Sequence, residues 1–118
     1  MTLYKSDRLI YLALYKLIKY LYSSIKNYPK EYKYSLGQEI LTLAWKTLDL
    51  VMIANSLENR DKHRYITRAV TTFSCLKFRL RLSCDLKILS HKKYTYIIKQ
   101  TSEINKMLNG WLAWSKKI

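Results

Sequence analysis

Basic residues gather in one part of this chain, and their types suit the binding of phosphate. Between residues 60 and 93 there are ten lysines and arginines and only two acids, Asp61 and Asp85, which gives a net charge of +8. The other 84 residues hold twelve bases and six acids. Arginine offers a planar fork of donors that fits phosphate oxygens, and a basic face on a folded helix attracts nucleic acid or another polyanion. The segment therefore predicts a polyanion-binding face.

No comparable set of residues predicts catalysis or metal binding. His63 and His91 are the only histidines, and neither has a Cys or His neighbour at metal-ligand spacing, so we expect both at the surface. The acids are scattered, and Asp85, four residues after Arg81, has the spacing of a helix-surface ion pair. The sequence contains no phosphate-binding glycine loop, no G-x-S-x-G elbow and no H-E-x-x-H. We therefore expect a non-enzymatic protein with no catalytic residues, metal or cofactor.

Composition predicts one helical domain over residues 1–118. The chain is 49% apolar, enough for an ordinary core, and it has only two glycines and one proline. So few turn-forming residues favour a small number of long elements and argue against a many-stranded fold. The total net charge of +14 weakens a lone monomer by self-repulsion, so a polyanionic partner is expected. The alternative is a highly soluble basic protein with no specific partner.

Cysteine spacing and hydropathy predict a cytoplasmic protein. Cys75 and Cys84, nine residues apart on one helix, would point in opposite directions and could not bridge within that helix, which favours a reducing compartment. The N-terminal apolar run is interrupted by Lys16 and Lys19 and lacks the pattern of a signal peptide. Charged residues also interrupt the apolar stretch 36–57, so no membrane span is expected.

Hydrophobic periodicity predicts four helices. They cover about 8–27, 33–57, 60–87, and a last segment from 91 to 110 or 114. Ser35 and Gln38 have the spacing of a capping box near the second start, and Ser90 is a candidate N-cap for the fourth helix. Because the connections are short, we expect an all-α, antiparallel up-down-up-down four-helix bundle. The apolar positions expected to face its core are Leu9, Leu12, Ala13, Leu17, Leu21 and Ile25; Ile40, Leu43, Ala44, Leu48, Val51 and Met52; Ile66, Ala69, Val70, Phe73, Leu76 and Leu80; Tyr94, Ile97, Ile98, Thr101, Ile104, Leu108, Trp111 and Leu112.

The outer face of the third predicted helix combines arginines with apolar residues. At 100° per residue, four arginines point away from the core: Arg60, Arg64, Arg68 and Arg79. Phe78 and Leu82 share this face, although a four-helix monomer has nothing to cover it. A helix that is apolar all round is usually buried all round, so these two residues predict self-association. The alternative is that they are isolated surface residues, which are normal when single.

The chain also has eleven tyrosines. Tyrosine beside basic residues can stack on nucleobases. The alternative is that most tyrosines cover the edges of the bundle and keep the hydroxyl in water.

Three stretches resemble a known family. They are YPKEYKYSLGQEI at 28–40, RLRLSCDLKILSHKKY at 79–94 and EINKMLNGWLAWSKK at 103–117. In this order they resemble parts of the bundle family that contains the accessory variability determinant (Avd) of diversity-generating retroelements. The chain departs from that pattern at Asn109-Gly110, where two glycines are expected, and at Cys84, where a small residue is usual.

The resemblance implies a homopentameric, barrel-like assembly of four-helix bundles, encoded by bacteria or phage. It implies a positive surface that binds RNA or DNA and the reverse transcriptase of the element, in support of mutagenic cDNA synthesis and retrohoming. Arg79 and Arg81 match the family's basic pair, and Phe78 and Leu82 fit a subunit interface. Together with the charge pattern, the candidate binding residues are Arg60, Arg64, Arg68, Lys77, Arg79, Arg81, Lys92 and Lys93.

Three alternatives remain open at this stage. The related bundle protein encoded in intervening sequences of bacterial large-subunit ribosomal RNA would share the fold. An adaptor would use the basic face only for an acidic protein surface. A minor nuclease is a third class, against which the missing metal and carboxylate pattern argues.

Overall fold

The computed structural model describes the backbone of residues 6–118 and the side chains from residue 9 onward. This part of the chain consists of four long helices and one short helix. The helices are α1 (Ser6–Ile25), α2 (Lys30–Lys33), α3 (Leu36–Ser56), α4 (Asn59–Asp85) and α5 (His91–Ser115). Within residues 6–118 there is no strand. None of these helices is long and apolar enough to cross a lipid bilayer.

The long helices form an antiparallel bundle in which each packs against two neighbours. α1 contacts α3 and α5, and α4 contacts the same two helices from the opposite corner. The direction of the helices follows from contacts at their ends: Arg79 of α4 meets Glu39 near the start of α3, whereas Lys62 meets Ala54 near its end. The molecule measures 47 × 22 × 19 Å, as expected for four helices side by side. The predicted all-α four-helix bundle is confirmed.

The α4 core stripe was predicted most accurately. Its apolar positions between Ile66 and Leu80 are buried, except Val70, which is half-buried. The stripe predicted for the first half of α1 is wrong, because Leu9 is 56% exposed and Leu12 is also exposed. Among the side chains described, the buried apolar positions of α1 are Ile10, Leu14, Leu17, Ile18, Leu21 and Ile25.

Two other positions predicted to face the core are exposed. They are Met52 of α3 and Ile98 of α5. The physical reason is the same as in α1, where apolar residues occupy two neighbouring faces. Periodicity then does not decide which face meets the core.

The connection between α1 and α3 differs from the prediction. Instead of one helix from residue 33, the chain forms the single turn α2 and then begins α3 at Leu36. The predicted capping box is absent, because the Ser35 hydroxyl donates back to the Glu31 carbonyl at 2.7 Å and makes no cap hydrogen bond to α3. Close packing supports this turn, since a Cβ on Gly37 would lie 2.7 Å from Cγ2 of Ile25.

The turn between α4 and α5 closes with two recognisable caps. The backbone N–H of Ile88 donates to the Ser83 carbonyl and that of Lys87 to the Cys84 carbonyl, which is the Schellman pattern. Lys87 occupies its left-handed position with φ of 61°, where glycine is usual. The Ser90 hydroxyl then accepts the backbone N–H of Lys93 at 3.2 Å, which confirms the predicted N-cap of α5. α5 continues past Gly110 to Ser115.

Candidate nucleic-acid interface

Arg64 and Arg68 form a pair on the exposed N-terminal half of α4. Their guanidinium carbons lie 5.1 and 5.4 Å from the centre of the Tyr65 ring, which stands between them. Such cation–π contacts hold the arginines in place, and Nη2 of Arg64 also donates to the Tyr65 hydroxyl at 3.5 Å. The remaining guanidinium N–H groups can bind an anion. Within the part of the chain that the structure describes, neither arginine pairs with an acid. We call Arg64, Tyr65 and Arg68 the arginine pair site.

Arg60, one turn earlier, is exposed but already has anionic partners. Its Nε lies 3.5 Å from a Glu58 carboxylate oxygen and 4.0 Å from one of Asp61. Exposed ion pairs of this kind are weak, so a phosphate could replace either carboxylate.

Arg79 lies in the seam between α3 and α4 and bridges the two helices. Its Nε donates to Oε1 of Glu39 at 3.0 Å, and its Nη1 donates to the Cys75 carbonyl at 3.3 Å. The side chain is half-buried. The prediction that Arg79 lies on the open outer face of the helix is therefore wrong. Two of its donors are used within the protein, which leaves Arg79 with a structural role as well as residual positive charge.

Lys77 and Arg81 lie on the opposite side of α4, beside α5. Nζ of Lys77 donates to Oδ1 of Asn105 at 3.2 Å, and Arg81 pairs with Asp85 at 3.6 Å, as the spacing predicted. Both basic residues line an open groove of about 290 Å³ together with Tyr94. Burial raises the pKa of the Tyr94 hydroxyl, and the nearby charge of Arg81 opposes that rise.

Lys92 and Lys93 lie in the first turn of α5. Lys92 is exposed and Lys93 is half-buried, and this turn contains no acid. Positive side chains at a helix N-terminus oppose the helix dipole, so they do not stabilise α5. A bound anion would relieve that repulsion.

The eight predicted binding residues thus do not form one surface. The structure brings Arg64 close to Arg68, and it places Lys77 and Arg81 in one groove. Arg79 faces α3 on the other side of α4. The basic residues therefore lie on more than one side of α4 and do not mark a single face.

One member of the basic segment is not available to a partner. Lys62 is only 1% exposed, and its Nζ donates to the carbonyls of Ala54 at 2.7 Å and Asn55 at 3.2 Å. These carbonyls belong to the last turn of α3, which leaves backbone acceptors without a full set of helical partners, and the Ala54 carbonyl also accepts the Leu57 backbone N–H at 3.2 Å. Lys62 therefore caps α3. Of the ten basic residues in the segment 60–93, this one cannot contact a bound polyanion.

His63 is also more enclosed than expected. It is half-buried, and its Nδ1 lies 3.0 Å from the Ser115 hydroxyl, which joins α4 to the end of α5. Among the described residues no group of three or more His, Cys, Asp or Glu side chains could hold a metal ion.

A row of lysines on α5 extends beyond the predicted set. Lys92, Lys99 and Lys106 are exposed and separated by seven residues, so they lie nearly in line along the outer face of the helix. None of them has a hydrogen bond or ion pair among the side chains described from residue 9 onward. The seven-residue spacing is visible in the sequence, but Lys99 and Lys106 lie outside the densest basic segment, residues 60–93.

The apolar outer face of α4 is as exposed as predicted. Phe78 is 76% exposed, and Leu82 and Leu86 are exposed one and two turns further on. Leu86, which was not among the predicted interface residues, follows Phe78 and Leu82 at the same four-residue spacing and forms a strip with them. Three apolar side chains in a row leave a continuous patch that water solvates poorly.

Comparison with known proteins agrees with the resemblance found in the sequence. None of the curated proteins compared with the chain matches it significantly. A family model described as bAvd-like matches residues 8–115, which include all of α2 to α5 and nearly all of α1. The chain therefore belongs to the bAvd-like family, a family of Avd-type accessory proteins.

Proposed function

We propose that this chain is a non-enzymatic accessory protein of a diversity-generating retroelement, which binds nucleic acid and the reverse transcriptase of that element. Membership of the bAvd-like family carries the proposal. The net charge of +14 and the arginine pair site support the nucleic-acid part. Phosphate contacts from these residues would give affinity with little sequence discrimination. The ligand would be RNA or DNA. The protein would act in the cytoplasm and would be encoded by a bacterium or a phage.

The test of nucleic-acid binding is a titration of labelled duplex RNA at several salt concentrations. The logarithm of affinity should fall linearly with the logarithm of salt concentration. Arg64→Ala with Arg68→Ala should lower affinity and reduce the slope by roughly 1.4–1.8, because two phosphate contacts are lost. The matched control is Lys16→Ala with Lys19→Ala, which removes the same charge from α1, where Lys19 lies 5.9 Å from the Tyr15 ring centre. Equal losses in both double variants would refute a specific role for the arginine pair site.

Binding of the reverse transcriptase is tested by co-purification with and without nuclease. Retention of the enzyme after nuclease treatment supports a direct protein contact. If the enzyme is retained but the chain does not bind free RNA at low salt, the result would favour the adaptor alternative, in which the basic face binds only an acidic protein surface. Loss of the enzyme on nuclease treatment would refute direct binding.

We further propose that the strip Phe78, Leu82 and Leu86 packs against other copies of the chain in a homopentameric ring. The support is the exposed apolar strip together with the assembly that the family resemblance implies. Light scattering after size exclusion should give a pentamer for the natural chain and a smaller particle for Phe78→Glu with Leu82→Glu. Leu9→Glu, also at an exposed apolar site but on α1, is the matched control. A pentamer that survives Phe78→Glu with Leu82→Glu would place the interface elsewhere.

A further inference from the structure

An open groove lies where the end of α1, the short α2 and the start of α3 meet. Its volume is about 690 Å³, and it is formed in part by three aromatic and two basic side chains. These five residues are Tyr22, Lys26, Lys33, Tyr34 and Trp45. We call this site the aromatic groove. It lies on α1 to α3 and shares no residue with the arginine pair site on α4.

Trp45 is held in place within the groove. Its indole Nε1, the only polar atom of the side chain, donates to the Tyr22 hydroxyl at 3.0 Å. The side chain is nevertheless 39% exposed, and all of its other non-hydrogen atoms are carbon. Tyr34, at 68%, is even more exposed. Two exposed aromatic rings in one depression offer flat apolar surfaces to a ligand, and neither contributes much to the protein core.

The charge of the groove is entirely positive. Lys26 and Lys33 line it, and no Asp or Glu does. A neighbouring depression shares Tyr34, Gln38 and Thr42 with the groove and extends as far as Arg79. A chain of phosphates could therefore pass from the lysines to Arg79, although Glu39 already holds part of the Arg79 guanidinium.

The groove is built on closely packed backbone. Gly37, in the first turn of α3, lies so near α1 that a Cβ would be 2.7 Å from Cγ2 of Ile25 and 3.2 Å from the Tyr32 carbonyl oxygen. This contact fixes the start of α3 against the end of α1. The backbone that carries the aromatic side chains is therefore pre-positioned, which lowers the entropy cost of binding a ligand between them.

We propose that the aromatic groove binds an unpaired nucleobase of single-stranded nucleic acid. The base stacks on Trp45 or Tyr34, and Lys26 and Lys33 contact the flanking phosphates. Aromatic platforms combined with a positive groove are the features by which proteins hold single strands without reading sequence. The inference rests on the proposed function and extends it. The arginine pair site would contact only the phosphate backbone of the nucleic acid, and the aromatic groove adds a site for unpaired bases.

The experiment compares three labelled ligands by fluorescence anisotropy: an oligothymidylate, an abasic oligodeoxynucleotide of the same length and charge, and a duplex RNA. The oligothymidylate should bind about 5- to 150-fold more tightly than the abasic strand, since stacking adds to the same phosphate contacts. Trp45→Leu should reduce that preference and leave duplex binding unchanged. Tyr34→Ala provides a second test at a highly exposed residue, where a folding defect is not expected.

The matched control is Tyr15→Ala, which removes an exposed tyrosine of α1 that does not line the groove. It should keep the preference for the oligothymidylate. Equal affinity for the abasic strand and the oligothymidylate would overturn the inference while leaving duplex binding, and so the proposed function, intact. A preference that survives both Trp45→Leu and Tyr34→Ala would overturn it as well. Single-strand binding that depends on Trp45, with no duplex binding, would support the groove and refute the arginine pair site.

Discussion

Replacing Lys62 by methionine tests the conclusion that this buried lysine stabilises the fold and does not bind a partner. Methionine keeps the apolar stem and removes the ammonium group, so little cavity is created. The hydrogen bonds to the Ala54 and Asn55 carbonyls, at 2.7 and 3.2 Å, are lost. Each hydrogen bond from a charged donor stabilises by about 1.5–3 kcal/mol. Removal of the cost of burying the charge offsets part of the loss.

The expected net effect is a decrease of about 2–3 kcal/mol in the free energy of unfolding. For a chain of this length that lowers Tm by roughly 10 °C. Thermal unfolding followed by circular dichroism at one fixed protein concentration measures it. Lys99→Met, at an exposed lysine of α5, is the control and should change Tm little.

Nucleic-acid affinity gives the second half of the test. At a temperature where Lys62→Met is folded, its affinity for duplex RNA and its salt dependence should match those of the natural chain. A Tm equal to that of Lys99→Met would refute the capping role. A reduced salt slope in the folded variant would show that the ammonium group reaches the ligand after all.

Three further predictions concern packing, backbone strain and an ion pair. Gly37→Ala should destabilise the fold by about 1–2 kcal/mol in urea titration, since the contact with Ile25 outweighs the better helix propensity of alanine; unchanged stability would mean that the α1–α3 contact yields easily. Lys87→Gly should raise the free energy of unfolding by about 0.5–1 kcal/mol by relieving the left-handed backbone, and a loss of stability would contradict this account. A double-mutant cycle of Arg79→Ala and Glu39→Ala should give a coupling of about 0.2–1 kcal/mol, and no coupling would mean that the 3.0 Å contact is not maintained in solution.

The fold was predictable because its main signals agree. Long apolar periods, few glycines and short connections all favour one bundle, and in α4 a single apolar face leaves no choice of orientation. The first half of α1 was not predictable in the same way. Leu9 and Leu12 form one apolar line and Ile10 and Leu14 another, and only the packing of α3 and α5 selects the second.

The candidate site was predicted in its residue types but not in its arrangement. A helical wheel places Arg79 on an outer face, but it contains no information on Glu39, which lies forty residues away in sequence. The charge count of the basic segment includes Lys62, but it gives no sign that the ammonium group is buried against carbonyls of another helix. The aromatic groove has no local signal, since its lining residues come from three elements that only the tertiary fold brings together.

The row of lysines on α5 affects how a bound strand could move. Successive members are seven residues apart, or about 10 Å along the helix axis. Because Lys92, Lys99 and Lys106 are all exposed lysines of one helix, a phosphate released by one would meet a similar partner at the next. A nucleic acid bound there, as the proposed function requires, would slide lengthwise with little change in energy. In the proposed function, such sliding would let the template advance while the protein stays bound to it.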